Sequence, residues 1–169
     1  MLVSDSSAII IGNSISKNIK ANIAFGGELS EKTVIKGNRI FQSRNEGIFI
    51  IDGKVSVISE NEVYENNDGI ILINSHPNLS DNTINNNIRS GLFLLEGSSP
   101  IVNSNFIRDN QFIGLFIRDK CEGKFNENDI RGNPSQVYLK KECKELMPEI
   151  KKNNIIDGRT DVEGRCIIF

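Results

Sequence analysis

The 169-residue sequence contains no tryptophan, one histidine and three cysteines. A single histidine leaves too few imidazoles for a histidine-based metal centre, and His76 precedes Pro77 in a predicted turn. The cysteines form no CxxC pair, and their odd number argues against the disulfide framework of a small secreted domain. We therefore predict a cytoplasmic protein that needs no metal and no cofactor.

Long apolar runs and a surplus of positive charge are missing as well. No apolar stretch reaches 18 residues, so no transmembrane segment is predicted. The opening residues MLVSDSSAIII lack the basic region and the longer apolar run of a secretory signal. The formal net charge is −2, so we do not expect a nucleic-acid partner.

Paired catalytic carboxylates are not evident either. The aspartates at 52, 68, 81, 109, 119, 129 and 157 fall mostly in predicted turns, and no pair recurs on one face. Glycoside hydrolysis needs two carboxylates held at a fixed separation. No nucleophile-elbow motif accompanies His76. The sequence therefore predicts no catalytic residue and a protein that is not an enzyme.

A repeated unit of 21–25 residues is the main positive feature of the chain. Its first column is asparagine, at positions 13, 38, 61, 82, 105, 128 and 153. Two residues after each stands a β-branched residue: Ile15, Ile40, Val63, Ile84, Ile107, Ile130 and Ile155. Three residues before each stands an apolar one: Ile10, Ile35, Ile58, Leu79, Val102, Phe125 and Ile150. Five residues after it, asparagine recurs in five units, with Ser43 and Gly158 as the exceptions.

Each unit is built from short strand-like runs, such as Gly47-Ile48-Phe49-Ile50, and no window sustains a helical period. Repeats of this length with two or three strands are typical of a parallel β-solenoid. The asparagines are expected to adopt the left-handed turn conformation and to hydrogen-bond from coil to coil as a ladder. We predict one all-β domain over 1–169 with about seven coils, irregular terminal coils and a charged loop at 140–152.

The sequence resembles the right-handed parallel β-helix repeat family, a pectate-lyase-like superfamily. The resemblance extends from about Val34 to Leu139 and is clearest in Gly37-Asn38-Arg39-Ile40, Glu60-Asn61-Glu62-Val63-Tyr64 and Ser98-Ser99-Pro100-Ile101-Val102. It implies a right-handed parallel β-helix. The repeats are also similar to the β-helix of an F-box substrate-recognition subunit of ubiquitin ligases, which implies a role in substrate recognition. Because the superfamily hosts unrelated activities, function is argued from the residues.

One predicted strand per coil presents apolar side chains outward. Counting from Gly47, Ile48 and Ile50 point inward, so the alternate residues point out. The outward positions predicted to bind a partner are Phe49, Ile51, Ile71, Ile73, Phe93, Leu95, Phe116 and Tyr138, with Arg118 and Lys140 completing the rows. A contiguous apolar surface of several coils favours an interface with another protein. The alternatives are that a loop of the same chain covers it, or that the inward and outward assignments are reversed.

The cysteines recur once per coil, so Cys121 and Cys143 are expected to stack as free, buried thiols. The terminal residues Cys166-Ile167-Ile168-Phe169 match the prenylation pattern. A lipid there would give a weak anchor. The competing interpretation is a last strand, since Gly164 and the apolar residues after it repeat the pattern of earlier strands.

Two functions fit these observations. The first is a non-enzymatic interaction module, a rigid rod that binds protein partners through its outward apolar strands and its ends within a larger cytoplasmic complex. The second is a carbohydrate-binding or polysaccharide-cleaving β-helix that uses the aromatic residues as stacking platforms.

Overall fold

The computed structural model describes residues 1–4, 7–27, 33–53 and 55–163. These residues form short strands and two short helices. The strands are β1 (Leu2–Ser4), β2 (Ile9–Ile11), β3 (Ser14–Ser16), β4 (Ile23–Gly26), β5 (Thr33–Lys36), β6 (Arg39–Phe41), β7 (Glu46–Ile51), β8 (Val55–Ser59), β9 (Glu62–Tyr64), β10 (Asp68–Ile73), β11 (Asn78–Ser80), β12 (Thr83–Asn85), β13 (Ser90–Leu95), β14 (Ile101–Asn103), β15 (Phe106–Arg108), β16 (Ile113–Ile117), β17 (Lys124–Asn126), β18 (Asp129–Arg131), β19 (Ser135–Leu139), β20 (Ile155–Asp157) and β21 (Thr160–Val162). The helices are a 3₁₀ helix (Lys141–Leu146) and α1 (Met147–Asn153).

The strands assemble into three parallel sheets that wind around one core. Sheet A has the order β1-β4-β7-β10-β13-β16-β19-β21, sheet B β2-β5-β8-β11-β14-β17, and sheet C β3-β6-β9-β12-β15-β18-β20. Each complete coil contributes one strand to each sheet, which gives six complete coils. In the seventh coil α1 stands where the sheet B strand would be. The predicted all-β parallel solenoid is confirmed.

The core is a stack of aliphatic side chains in register. Along sheet A, for example, one buried column consists of Ile23, Ile48, Ile70, Leu92, Leu115 and Val137. Each of these side chains is fully buried. In the first six coils, the residues three before and two after the ladder asparagines line the same core or pack against it, as the repeat predicts.

The asparagine ladder is confirmed as a continuous hydrogen-bonded column. Asn61 donates from its backbone N–H and its Nδ2 to Oδ1 of Asn82, at 3.0 and 2.9 Å. Asn82 makes the same two bonds to Asn105, at 3.0 and 2.9 Å, and the pattern runs from Asn13 to Asn128. The Nδ2 of Asn82 also reaches the Ile58 carbonyl at 2.7 Å. Each amide therefore ties its coil to both neighbours.

The prediction that the ladder asparagines adopt the left-handed backbone conformation was wrong. The positive φ angles belong to the residue before each ladder asparagine, for example Glu60 at 55°, Asp81 at 57° and Ser104 at 54°. The left-handed residue makes the bend, and the asparagine that follows directs its amide inward. Polar side chains at these bends remain outside, where they tolerate the conformation at a modest energetic cost.

A second ladder runs through the asparagines five residues further on, and two other side chains complete it. Ser43 has no amide, and Asn22 of the preceding coil supplies one: it accepts from Asn18 at 2.8 Å and donates to Asn66 Oδ1 at 3.1 Å. Gly158 has no side chain either, and Gln136 Oε1 accepts from Asn133 Nδ2 at 2.8 Å. In sheet A, the column that contains Asn22 and Gln136 holds glycine in the four intervening coils: Gly47, Gly69, Gly91 and Gly114.

The last coil differs from the prediction in two respects. The ladder asparagine is Asn154 rather than Asn153, because Asn128 donates to its Oδ1 at 2.9 and 2.7 Å, and Ile156 rather than Ile155 pairs with Ile130. The segment predicted as a charged loop at 140–152 is helical instead. Three of its side chains, Cys143, Met147 and Ile150, are buried against the core, which explains why the segment folds.

Pro148 lies in the first turn of α1, where its missing N–H costs no hydrogen bond.

Candidate functional site

The outer surface of sheet A carries two rows of side chains in register. The first row is Phe49, Ile71, Phe93, Phe116 and Tyr138. The second is Ile51, Ile73 and Leu95. These eight residues are named the apolar face below, and they are the eight positions predicted to bind a partner. The structure brings all of them together on one surface.

The inward and outward assignments on these strands are confirmed. Ile48 and Ile50 are fully buried, while Phe49 and Ile51 between and after them are partly exposed. The same alternation holds in β13, β16 and β19. Ile71 is the least accessible of the eight, with 8% of its surface exposed, because its neighbours Phe49 and Phe93 flank it in the row.

The aromatic rings on the apolar face stack along the rod. Phe93 and Phe116 lie 4.4 Å apart between ring centroids with an interplanar angle of 6°. Tyr138 meets Phe116 edge-on, at 5.3 Å and 89°. The faces of the Phe93 and Phe116 rings therefore cover each other, and such ring pairs add about 0.5–1.5 kcal/mol beyond the burial of their surface.

Ion pairs bound the apolar face towards its C-terminal end. Arg118 Nε lies 2.9 Å from Asp119 Oδ2, and Lys140 Nζ lies 2.5 Å from Glu163 Oε1. Hydrogen bonding to Glu163 raises the pKa of Lys140. At the other end, Ala24 and Gly26 take the register positions of Phe49 and Ile51. The face thus ends in small residues on one side and charged residues on the other.

A cavity of about 370 Å³ opens beside Phe116 and Tyr138. It is lined by Phe112, Ile113, Phe116, Pro134, Ser135, Tyr138, Lys140, Arg159 and Asp161. Phe112 is 63% exposed and was missed in the sequence because it lies in the turn before β16. Its register equivalents Asn67 and Arg89 are polar, so an aromatic residue breaking a polar column was the available signal.

Two acidic residues away from the apolar face, Asp129 and Asp68, are held by basic partners and by backbone. Asp129 accepts from Arg131 Nε at 2.6 Å and Nη2 at 2.7 Å, and Arg108 also donates to it. These bonds lower the pKa of Asp129, and the bonds from Arg131 have the largest effect. The buried Asp68 accepts from the Ser90 N–H at 3.0 Å. Within the described ranges, no group of three or more His, Cys, Asp or Glu side chains could hold a metal ion.

The sequence analysis also singled out His76 and the three cysteines. His76 Nδ1 accepts from the Ser99 N–H at 3.0 Å, which joins two turns. Cys121 and Cys143 are free and buried. Cys166 lies outside the described residues. In the part of the chain that the structure describes, no helix is long and apolar enough to cross a membrane.

Comparison with known proteins agrees with this architecture. A family model described as right handed beta helix region matches residues 1–155. The chain belongs to the right-handed β-helix family. No curated protein and no solved structure matches it. The predicted family is confirmed, whereas the likeness to an F-box subunit stays a prediction. The family defines the fold, and the activity of this member has to be inferred from its surface.

Proposed function

We propose that this right-handed β-helix is a non-enzymatic protein-interaction module that binds a protein partner through its apolar face. The observation that carries the proposal is the unbroken row from Phe49 to Tyr138 on one sheet. Solvated surfaces rarely leave such a row uncovered, and contiguous apolar patches mark interaction sites. A sheet surface with a packed aliphatic core beneath it offers a rigid platform, so little conformational entropy is lost on binding.

The ring geometry favours a protein partner over a polysaccharide. A sugar stacks on the face of an aromatic ring, but the faces of Phe93 and Phe116 lie against each other at 4.4 Å. Their edges point outward and offer apolar contact area suited to aliphatic and aromatic side chains. Tyr138 meets Phe116 edge-on instead, and Ile71 separates Phe49 from the Phe93–Phe116 pair.

The carboxylates around the apolar face support a role without catalysis. Asp119 is paired with Arg118, Asp161 with Arg159, and Glu163 with Lys140. Each of these carboxylates is engaged by a neighbouring cation rather than standing free beside the apolar face. We therefore assign these charges to the rim of an interface.

We further propose that the module works in the cytoplasm as part of a larger complex. The free cysteines Cys121 and Cys143 lie on adjacent coils and are unpaired, which suits a reducing compartment. Two apolar residues on the N-terminal strand β2, Ile9 and Ile11, are 72% and 55% exposed. They offer a second contact surface at that end of the rod.

Replacing Phe93 by glutamate together with Phe116 by lysine should strongly weaken partner binding. The opposite charges avoid repulsion between adjacent strands, so the fold should be retained. Loss of two central aromatic anchors is expected to weaken binding at least thirtyfold, about 2 kcal/mol. The measurement is affinity purification from the native cell with quantitative mass spectrometry, followed by titration of the recovered partner.

The matched control is Ile101→Glu with Phe106→Lys, which introduces the same two charges on sheets B and C. Ile101 and Phe106 are 47% and 46% exposed, so this variant should bind normally. Equal binding by both variants would contradict the proposal. If the control variant retains a polysaccharide that the Phe93→Glu/Phe116→Lys variant releases, the result would instead favour the carbohydrate-binding alternative.

The lipid anchor at Cys166 remains a separate prediction. If the anchor exists, the intact mass of protein purified from its native cell should correspond to the polypeptide with one isoprenoid group on Cys166, with or without the three residues that follow it. An unmodified mass, measured with recombinant protein as the control, would exclude the anchor and leave the protein-interaction proposal unaffected.

A further inference from the structure

A third buried column runs through the turn that follows sheet A. Its members lie one per coil: Gly53, Ser75, Ser98, Cys121 and Cys143. In the upper coils, serine hydroxyls accept backbone bonds from the preceding coil, from Gly53 N–H to Ser75 Oγ at 3.2 Å and from Ser75 N–H to Ser98 Oγ at 3.1 Å. In the next two coils sulfur replaces oxygen. The Cys121 sulfur faces the Ser98 N–H, and the Cys143 sulfur faces the Cys121 N–H.

The two cysteines lie in register on adjacent coils. Ile117 pairs with Leu139, 22 residues later, and the same interval separates Cys121 from Cys143. Their backbone bonds are equivalent too, since Cys121 N–H donates to Arg118 at 3.3 Å and Cys143 N–H donates to Lys140 at 2.9 Å. Neighbouring coils are spaced by about 4.8 Å. A disulfide spans Cα separations of about 4.4–6.8 Å, so this spacing permits one.

A reagent can approach both sulfurs from one side. Both cysteines line a cavity of about 530 Å³ between the turn and the 3₁₀ helix. Only 3% of each cysteine is exposed, so the cavity is the route by which a small molecule would reach the thiols.

We propose that Cys121 and Cys143 form a reversible disulfide when the protein meets a small-molecule disulfide. The Cys121 thiol loses its proton and attacks one sulfur of the reagent, which releases one thiol and leaves a mixed disulfide. The Cys143 thiolate then attacks the Cys121 sulfur and releases the second thiol. Two protein thiols are oxidised and one reagent disulfide is reduced to two thiols.

The disulfide would fix the helical segment to the body of the rod. Cys143 lies in the 3₁₀ helix Lys141–Leu146, which precedes α1, whereas Cys121 lies in the turn after β16. A cross-link between them closes a loop of 22 intervals in the chain and restricts the unfolded state. Oxidation should therefore raise the melting temperature of the protein.

The reaction should be slow at neutral pH and accelerate with alkali. Burial raises the pKa of the Cys121 thiol to about 11, and burial likewise raises the pKa of Cys143. The carboxylates of Asp119 and Glu142 favour the protonated thiols. The other charged residues around the cavity are Lys120, Glu122, Lys124 and Glu145. Below the pKa the thiolate fraction rises tenfold per pH unit, so the oxidation rate should rise about tenfold from pH 7 to pH 8.

The test treats the full chain, carrying Cys166→Ser to remove the third thiol, with oxidised glutathione. Mass spectrometry should find a product lighter by two hydrogens, and peptide mapping should find Cys121 joined to Cys143. Cys121→Ser in the same background is the matched control, because it reproduces the serine of the coil above, and it should give no intramolecular cross-link. A glutathione adduct that persists on the folded protein without cross-linking, or no reaction across the pH range, would overturn the proposal.

Discussion

Replacing Asn82 by leucine should destabilise the protein by about 4 kcal/mol. The side chain is fully buried and makes four hydrogen bonds: two accepted from Asn61, and one donated to each of Ile58 and Asn105. Leucine has a similar size but cannot accept a hydrogen bond, so the Asn61 N–H loses its partner. Each buried polar group left without a partner costs about 1–3 kcal/mol. Urea unfolding followed by circular dichroism measures the loss.

Asn13→Leu is the matched control for this prediction. Asn13 is exposed and is the first member of the ladder: it donates to Asn38, and no described residue donates to its Oδ1. Its substitution should cost less than about 1 kcal/mol, since solvent replaces the lost partners. Equal losses at Asn13 and Asn82 would show that the ladder does not stabilise the rod.

Asn82→Asp keeps the shape of the side chain and its hydrogen-bond acceptor but removes its hydrogen-bond donor. The carboxylate still accepts from Asn61 but cannot donate, and burial without a positive partner raises its pKa in the folded protein above the unfolded value of about 3.9. The folded state then binds the proton more tightly than the unfolded state. The variant should therefore be unstable at pH 7 and recover as the pH falls through the raised pKa, relative to the parent at each pH.

Gly69→Ala should destabilise the protein by about 3 kcal/mol or more. A Cβ at this position would lie 2.4 Å from the Gly91 carbonyl oxygen and 2.7 Å from Cγ2 of Ile84. The carbonyl belongs to the adjacent strand of a sheet paired on both sides, so it cannot move alone. Overpacking of this kind costs about 1–3 kcal/mol and occasionally more. Urea unfolding is again the measurement.

Alanine substitutions at two other glycines serve as controls for the Gly69 prediction. Gly26→Ala places its Cβ 3.5 Å from Ile51 Cγ2, an ordinary contact, and should be nearly neutral. Gly37 has open space around it but a φ of 62°, so alanine there should cost about 1–2 kcal/mol. The expected order of destabilisation is Gly69, then Gly37, then Gly26. A Gly69 variant no worse than the Gly37 variant would mean that the close approach of the two strands is relaxed easily.

The sequence was sufficient to predict the coils because each of them repeats the same physical requirement. An inward apolar residue is needed on every strand, and a buried amide is needed at the bends, so Asn61, Asn82 and Asn105 recur with the same neighbours. The eight residues of the apolar face followed from strand alternation alone. Their function could not be predicted, because the packing of the chain itself does not constrain an outward side chain.

The last coil was harder to predict because two asparagines are adjacent there. Asn153 kept the expected spacing, but α1 lengthens the coil to 26 residues between Asn128 and Asn154. The signal for the helices was present: Cys143, Met147 and Ile150 recur at intervals of four and three, the period of a helix face. The surrounding lysines and glutamates masked it. Phe112 was not predicted because residues in turns do not alternate between inward and outward positions as strand residues do.

The exchange of glycine for an amide in sheet A couples two columns that look independent in the sequence. Where Asn87 supplies the amide, Gly69 leaves the space for it, since a Cβ there would lie 3.0 Å from Asn87 Nδ2. Where Gly158 supplies none, Gln136 fills the same space from the strand. Each level of the rod thus holds one amide, and either column can carry it. Substitutions in the two columns should compensate one another, so a damaging change in one is repaired by a matched change in the other.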